Sequence, residues 1–85
     1  MSGPEATSTA RTLESLGVIA VLRGDDPSRV ADAARALGAG GVTAVEITYT
    51  VPDATSIIGQ LAADGDLLVG AGTVTTRRQA DEALA

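Results

Sequence analysis

The feature that most constrains the fold is an alternation of short apolar runs with amphipathic segments of helical period. A continuous apolar run of strand length is typical of a strand that is buried on both faces, as strands are in a parallel sheet. We predict strands at 18–22, 43–48 and 67–70. Sheets of this kind need long connections between their strands, and helices usually supply them.

Helix signals follow each predicted strand. They comprise an acidic cap, a proline at the first helical position, a glycine stop and a capping box. The predicted helices run from an Asp26 cap and Pro27 to a stop at Gly38, from 52–53 to a stop at 64–65, and onward from a capping box of Thr76 and Gln79. The order β-α-β-α-β-α predicts parallel strands joined by right-handed crossovers.

The spacing of the units suits a barrel at least as well as an open doubly wound sheet. Arg23, Glu46 and Thr73 each end or occupy a strand, and the intervals between them leave room for one strand and one helix with little decoration. The predicted fold class is α/β, a (β/α)₈ TIM barrel, although an open doubly wound sheet is the alternative. A barrel has eight strands and roughly 250 residues, so this chain would supply about the first three βα units. We therefore expect residues 9–85 to be the N-terminal part of one truncated barrel domain, and residues 1–8 a flexible tail.

Composition excludes several classes of function. The net charge is −5, and all six basic residues are arginine, so a reader of nucleic-acid backbones is not expected. Without cysteine or histidine, no disulfide or thiolate site is available and a metal would have only carboxylates to bind. We predict no metal and no cofactor. No segment resembles a signal peptide or a membrane span, so a soluble, cytoplasmic protein without a membrane partner is expected.

One strand carries an ionisable residue that calls for an explanation. Side chains alternate along a strand, so Ala44, Glu46 and Thr48 share one face of the second predicted strand. A carboxylate inside a parallel strand is costly unless it is paired. Glu46 is therefore either a catalytic carboxylate or an ion-paired structural one.

Polar residues also gather at the carboxyl ends of the predicted strands, where βα loops hold catalytic and binding groups. Arg23, Thr48 and Thr73 occupy such positions, and Gly72 would let a ligand approach the backbone closely. Three of these residues have a simpler interpretation: a surface ion pair of Arg23 with Asp25 or Asp26, a turn hydroxyl at Thr73, and a tight bend at Gly72. Their shared position favours a binding site.

Three segments in order resemble the aldolase family that cleaves 2-keto-3-deoxy-6-phosphogluconate (KDPG) and 4-hydroxy-2-oxoglutarate (KHG). They are V-I-A-V-L-R-G at 18–24, A-G-G-V-T-A-V-E-I-T-Y-T-V-P at 39–52 and V-G-A-G-T-V at 69–74. The resemblance covers nearly the whole chain from Gly17 onward. The E-I-T and G-A-G-T-V motifs are fairly specific only as a combination at this spacing.

The resemblance implies a class I aldolase, in which a lysine forms a Schiff base with the 2-oxo group of the substrate. Glu46 matches the glutamate that moves protons, and Thr73 matches the threonine that holds the pyruvate moiety. Arg23 matches an arginine that binds carboxylate or phosphate. Many members carry a further arginine where this chain has Thr50, which leaves anion binding to Arg23.

The missing lysine is the main departure from the family. The resemblance places it on a later strand, as it does the phosphate-binding end of the barrel, so we expect the 85 residues alone to be inactive. The complete enzyme is expected to be a homotrimer that takes a small 2-oxo acid phosphate and releases pyruvate and glyceraldehyde 3-phosphate. The alternatives are another phosphate-binding barrel synthase and a non-catalytic half-barrel that associates with itself through its open edges.

Overall fold

The computed structural model describes residues 4–84, with side chains from residue 7 onward. Helices and strands alternate in the order α1 (Pro4–Leu16), β1 (Ala20–Leu22), α2 (Pro27–Ala39), β2 (Ala44–Thr48), α3 (Ala54–Asp64), β3 (Leu68–Gly72) and α4 (Arg77–Leu84). The strands are parallel and lie in the order β1-β2-β3. The predicted α/β class and the parallel strands in chain order are confirmed. Three strands with their connecting helices correspond to part of a (β/α) fold.

The register of the sheet decides which residues are neighbours. Glu46, in the middle of β2, is paired with Val21 on β1 and with Gly70 on β3. Thr48, at the end of β2, is paired with Gly72. Since side chains on paired positions of a parallel sheet point the same way, these five residues share one face of the sheet.

The opposite face carries the hydrophobic core. Val45 and Ile47 alternate with Glu46, and helices α2 and α3 pack over them. Ile47 and Leu61 are fully buried at 0 % exposure. The buried members of this core are Val30, Ala31, Ala34, Val45, Ile47, Val51, Ala54, Ile57 and Leu61. Aliphatic and alanine side chains alone fill it, as the near-absence of aromatic residues requires.

The face that carries Glu46 is covered only in part. Thr9 and Leu13 of α1, together with the start of each strand, line a depression of about 250 Å³ there. Farther along β1, Val21 is 56 % exposed. Helix α1 therefore lies near the amino ends of the strands, whereas Arg23 and Thr73, just beyond the carboxyl ends of β1 and β3, are exposed.

The caps of α2 and α4 follow the sequence signals closely, whereas Asp53 before α3 makes no side-chain capping hydrogen bond. The Asp26 carboxylate accepts hydrogen bonds from the Ser28 hydroxyl at 2.8 Å and the Ser28 amide at 3.0 Å. The hydrogen bond from the Ser28 hydroxyl is the main reason why the pKa of Asp26 is lowered. The stabilisation from this cap is therefore fully present above the ordinary pKa of an aspartate and is lost as the pH falls through the lowered value. Thr76 and Gln79 form the predicted capping box reciprocally, at 3.1 Å and 3.3 Å.

Two element ends differ from the sequence prediction at the start of the chain. Helix α1 begins at Pro4, so residues 4–8 of the predicted tail are helical, and residues 1–3 lie outside the described range. Proline is well suited to a first helical turn, since its missing N–H has no partner there anyway. Strand β1 is shorter than predicted and begins at Ala20, because pairing with β2 starts only there.

Two further ends differ from the prediction because of glycine. Helix α2 passes through Gly38, the predicted stop, and ends at Ala39. A Cβ at Gly38 would lie 2.7 Å from Cδ2 of Leu67, so this glycine provides room for the segment that leads into β3. Strand β3 continues through Gly70 to Gly72, because the ladder with β2 holds both glycines in extended backbone.

The two helical glycines of α2 and α3 give a paired stability prediction. Glycine inside a helix costs about 0.5–1 kcal/mol relative to alanine. No atom would lie within 4 Å of a Cβ at the exposed Gly59, so Gly59→Ala should raise the free energy of unfolding by about that amount. Gly38→Ala should give a smaller gain or a loss, because Leu67 must move. Urea denaturation of the two variants measures the difference, and equal gains would contradict this explanation of Gly38.

Candidate active site

Glu46 is held on the sheet face that faces away from α2 and α3. Its side chain leans along the strand direction: a Cβ at Gly72 would lie 2.7 Å from Oε1 and 2.8 Å from Cδ of Glu46. The register partner of Glu46 is Gly70, two residues before Gly72. The carboxylate is therefore displaced toward the carboxyl ends of the strands, where the backbone rises by about 3.3 Å per residue.

The Glu46 carboxylate has no partner among the described residues. No hydrogen bond or ion pair joins it to any side chain or amide between residues 7 and 84, although the residue is half-buried. The ion-paired structural glutamate that was the alternative interpretation is thus not found in this part of the chain. A carboxylate that is half-buried and unpaired is able to exchange a proton with a bound ligand.

Arg23 reaches across the sheet to the end of β3. Its Nη2 lies 3.5 Å from Oγ1 of Thr73, which is at the limit of a hydrogen bond. The surface pair that was the alternative for Arg23 is not formed within residues 7–84, and Asp26 instead lies 3.8 Å from Arg29. The guanidinium of Arg23 is exposed and has no acidic partner in this part of the chain, so it is available to bind an anion.

Thr73 has an unusual backbone. Its φ of 52° lies in the left-handed region, which a β-branched residue rarely occupies. Such a conformation costs on the order of 1–3 kcal/mol and tends to occur where a side chain must be held in a particular direction. The strained residue follows β3 directly, and its hydroxyl is the one that faces Arg23.

Thr48 lies where the sequence predicts, but its hydroxyl is already engaged. The residue is 1 % exposed, and its Oγ1 lies 2.6 Å from Oγ1 of Thr50. Tyr49, between them, donates its backbone N–H to the Gly72 carbonyl at 2.8 Å. A ligand that contacts Thr48 would therefore have to compete with Thr50, a residue whose contact the sequence did not reveal.

A second set of contacts was also missed from the sequence. The Tyr49 hydroxyl lies 3.0 Å from Oγ1 of Thr55, which in turn donates to the Glu82 carboxylate at 3.3 Å. These bonds tie the exit of β2 to α3 and α4. They depend on rotatable hydroxyls, and the second joins residues 27 apart in sequence, so no local pattern signals them.

Four of the five predicted site residues form two neighbouring pairs. Glu46 and Gly72 are in contact on the open face, and Arg23 and Thr73 are in contact at the strand ends. The pairs are joined by the peptide bond between Gly72 and Thr73.

Within the described residues, no group of three or more acidic side chains could hold a metal ion. None of the helices between residues 4 and 84 is long and apolar enough to cross a membrane.

Comparison with known proteins gives one finding that bears on this arrangement. The family model described as KDPG and KHG aldolase matches residues 9–85, which is nearly the whole chain. No curated protein matches the chain significantly.

Proposed function

Because the chain belongs to the KDPG and KHG aldolase family, we propose that its open sheet face serves a class I aldolase. The proposed substrate is 2-dehydro-3-deoxy-6-phosphogluconate, cleaved to pyruvate and glyceraldehyde 3-phosphate. The galactonate phosphate and 4-hydroxy-2-oxoglutarate are further candidates. One observation carries the proposal: Glu46, a carboxylate without a partner among the described residues, lies on the partly covered face of a parallel sheet and is turned toward the carboxyl ends of its strands.

Glu46 is the proposed general acid and base. When an amine adds to the 2-oxo group, the resulting hydroxyl must be protonated before it leaves as water, and a protonated Glu46 can donate that proton. The carboxylate that remains can then remove the proton of the C4 hydroxyl as the C3–C4 bond breaks. Acid–base assistance of this kind is commonly worth about 10²- to 10⁴-fold in rate.

Arg23 and Thr73 are the proposed substrate-binding pair. A guanidinium without an opposing charge suits a carboxylate or a phosphate, and the Thr73 hydroxyl beside it suits the pyruvate moiety. Thr48 is a further proposed binding residue through its place at the end of β2, and its register partner Gly72 borders the site. The single 3.5 Å contact between Arg23 and Thr73 is weak enough to be exchanged for a ligand.

The Schiff base itself needs a side-chain amine that these 85 residues lack, since every basic side chain is arginine. We assign it to a lysine outside this sequence, on a later strand of a closed (β/α)₈ barrel that forms a cytoplasmic homotrimer. The 85 residues by themselves are then expected to be inactive.

Borohydride trapping tests this function. Borohydride reduces an imine to a stable amine, so a protein that contains this segment together with the later lysine should gain the mass of one bound pyruvate at that lysine. The 85-residue chain should be labelled slowly and only at its terminal α-amino group. Rapid labelling elsewhere in the short chain, or no labelling of the long one, would contradict the proposal. The second result would favour a phosphate-binding synthase of another kind.

A further inference from the structure

The contact between Glu46 and Gly72 carries an inference that rests on the proposed function and deepens it. We propose that Gly72 is a positioning residue, whose missing side chain provides the volume that the Glu46 carboxylate occupies. An ideal Cβ at Gly72 would lie 2.7 Å from Oε1, 2.8 Å from Cδ and 3.0 Å from Cγ of Glu46. Separations below 3.0 Å between such atoms essentially never occur, so any larger residue at position 72 displaces the carboxylate.

The need for glycine at position 72 does not come from the backbone. The glycines with a positive φ are Gly17, Gly41 and Gly65, and Gly72 is a paired strand residue. Alanine can therefore adopt its backbone conformation, and the three atoms nearest to its Cβ would all belong to the Glu46 side chain. Gly72 is buried, whereas Gly70 on the same face of β3 is exposed. The difference arises because Glu46 leans over Gly72.

Gly70 provides a matched control. It is the register partner of Glu46, yet the nearest atom to a Cβ at Gly70 is the Val45 carbonyl oxygen at 3.9 Å, an ordinary contact. Both glycines lie on one strand, on one face and beside one carboxylate. Only the substitution at position 72 should move that carboxylate.

The positioning role differs from a direct role of Gly72 in binding. If a ligand packs against the Gly72 backbone, Gly72→Ala raises KM for the substrate. If Gly72 acts through Glu46, the substitution lowers kcat and leaves KM nearly unchanged. A displacement of about 1 Å at a catalytic group can cost on the order of 10²-fold in rate. We expect Gly72→Ala to lower kcat about 10- to 100-fold and Gly70→Ala to lower it less than about 3-fold.

A double-mutant cycle with Glu46→Gln completes the test, in the lysine-containing protein with the aldol substrate. Gly72→Ala should lower kcat when Glu46 is intact and should have no further effect when it is combined with Glu46→Gln, because its effect passes through the carboxylate. The inference would be overturned if Gly72→Ala lowered kcat by the same factor with and without Glu46→Gln, or if Gly72→Ala raised KM alone.

A crystal structure of each glycine variant provides a measurement that does not depend on turnover. The Glu46 carboxylate should be displaced in Gly72→Ala and unmoved in Gly70→Ala. An unmoved carboxylate in Gly72→Ala overturns the inference alone. If Glu46→Gln itself leaves kcat unchanged, the proposed role of Glu46 fails, and the positioning role fails with it.

Discussion

Glu46→Gln lowers the rate of imine formation between pyruvate and the lysine-containing protein by about 10²- to 10⁴-fold, the usual share of a general acid–base group. Glutamine keeps the length and shape of the side chain, so the packing over Gly72 is preserved while the ability to exchange a proton is lost. The rate is measured by quenching mixtures of protein and pyruvate with borohydride at successive times and determining the labelled fraction by mass spectrometry. The melting temperature should change little, because within residues 7–84 no hydrogen bond to Glu46 is lost.

Glu14→Gln is the matched control for this experiment. Glu14 is an exposed carboxylate on α1, and its replacement removes the same charge without touching the open ends of the strands. It should label as fast as the unmodified protein. Comparable losses in the two variants would indicate an effect of net charge and contradict the assignment of Glu46.

Arg23→Ala raises KM for the phosphorylated substrate by about 10- to 100-fold. A hydrogen bond to a charged group is worth about 1.5–3 kcal/mol, and about 1.4 kcal/mol corresponds to a factor of ten. Steady-state kinetics measures the rise, and kcat should change much less. Thermal stability should be retained, because Arg23 is exposed and its contact with Thr73 is long.

Arg29→Ala separates this effect from a general loss of positive charge. Arg29 lines the same surface depression as Arg23, but its side chain is 88 % exposed and lies beside Asp26. Exposed ion pairs contribute little, so neither KM nor stability should change much. An unchanged KM in Arg23→Ala, with a lowered melting temperature, would instead support a structural role for Arg23.

The elements of the fold were predictable because their signals are local. Apolar runs predicted the three strands, and the caps at Asp26 and at Thr76 predicted two helix starts. The errors arose where a distant residue overrides a local signal. Gly38 is a natural stop on its own, but in the fold it provides room for Leu67. The extension of β3 to Gly72 likewise depends on pairing with β2.

The candidate site was predictable to the same extent. Alternation along one strand placed Glu46 on the face opposite to the one that packs under α2 and α3, and that needs no knowledge of other strands. The contact with Gly72 could not be predicted, since it depends on the register between β2 and β3 and on the side chain's direction. The engagement of Thr48 by Thr50 was missed because hydroxyl orientations are not encoded in spacing.

The shared volume of Glu46 and Gly72 also affects how variants of this protein should be searched. A library that randomises position 72 alone and is selected for aldolase activity should return mostly glycine, because each larger residue competes with the Glu46 carboxylate for the same space. A library that randomises position 46 alone keeps glycine at position 72. It therefore never tests which side chains at position 46 leave room for a larger residue at position 72. Randomising both codons together opens combinations in which a shorter acid at position 46 accompanies a methyl group at position 72. Such combinations would show strong epistasis, although the two codons are far apart in the gene.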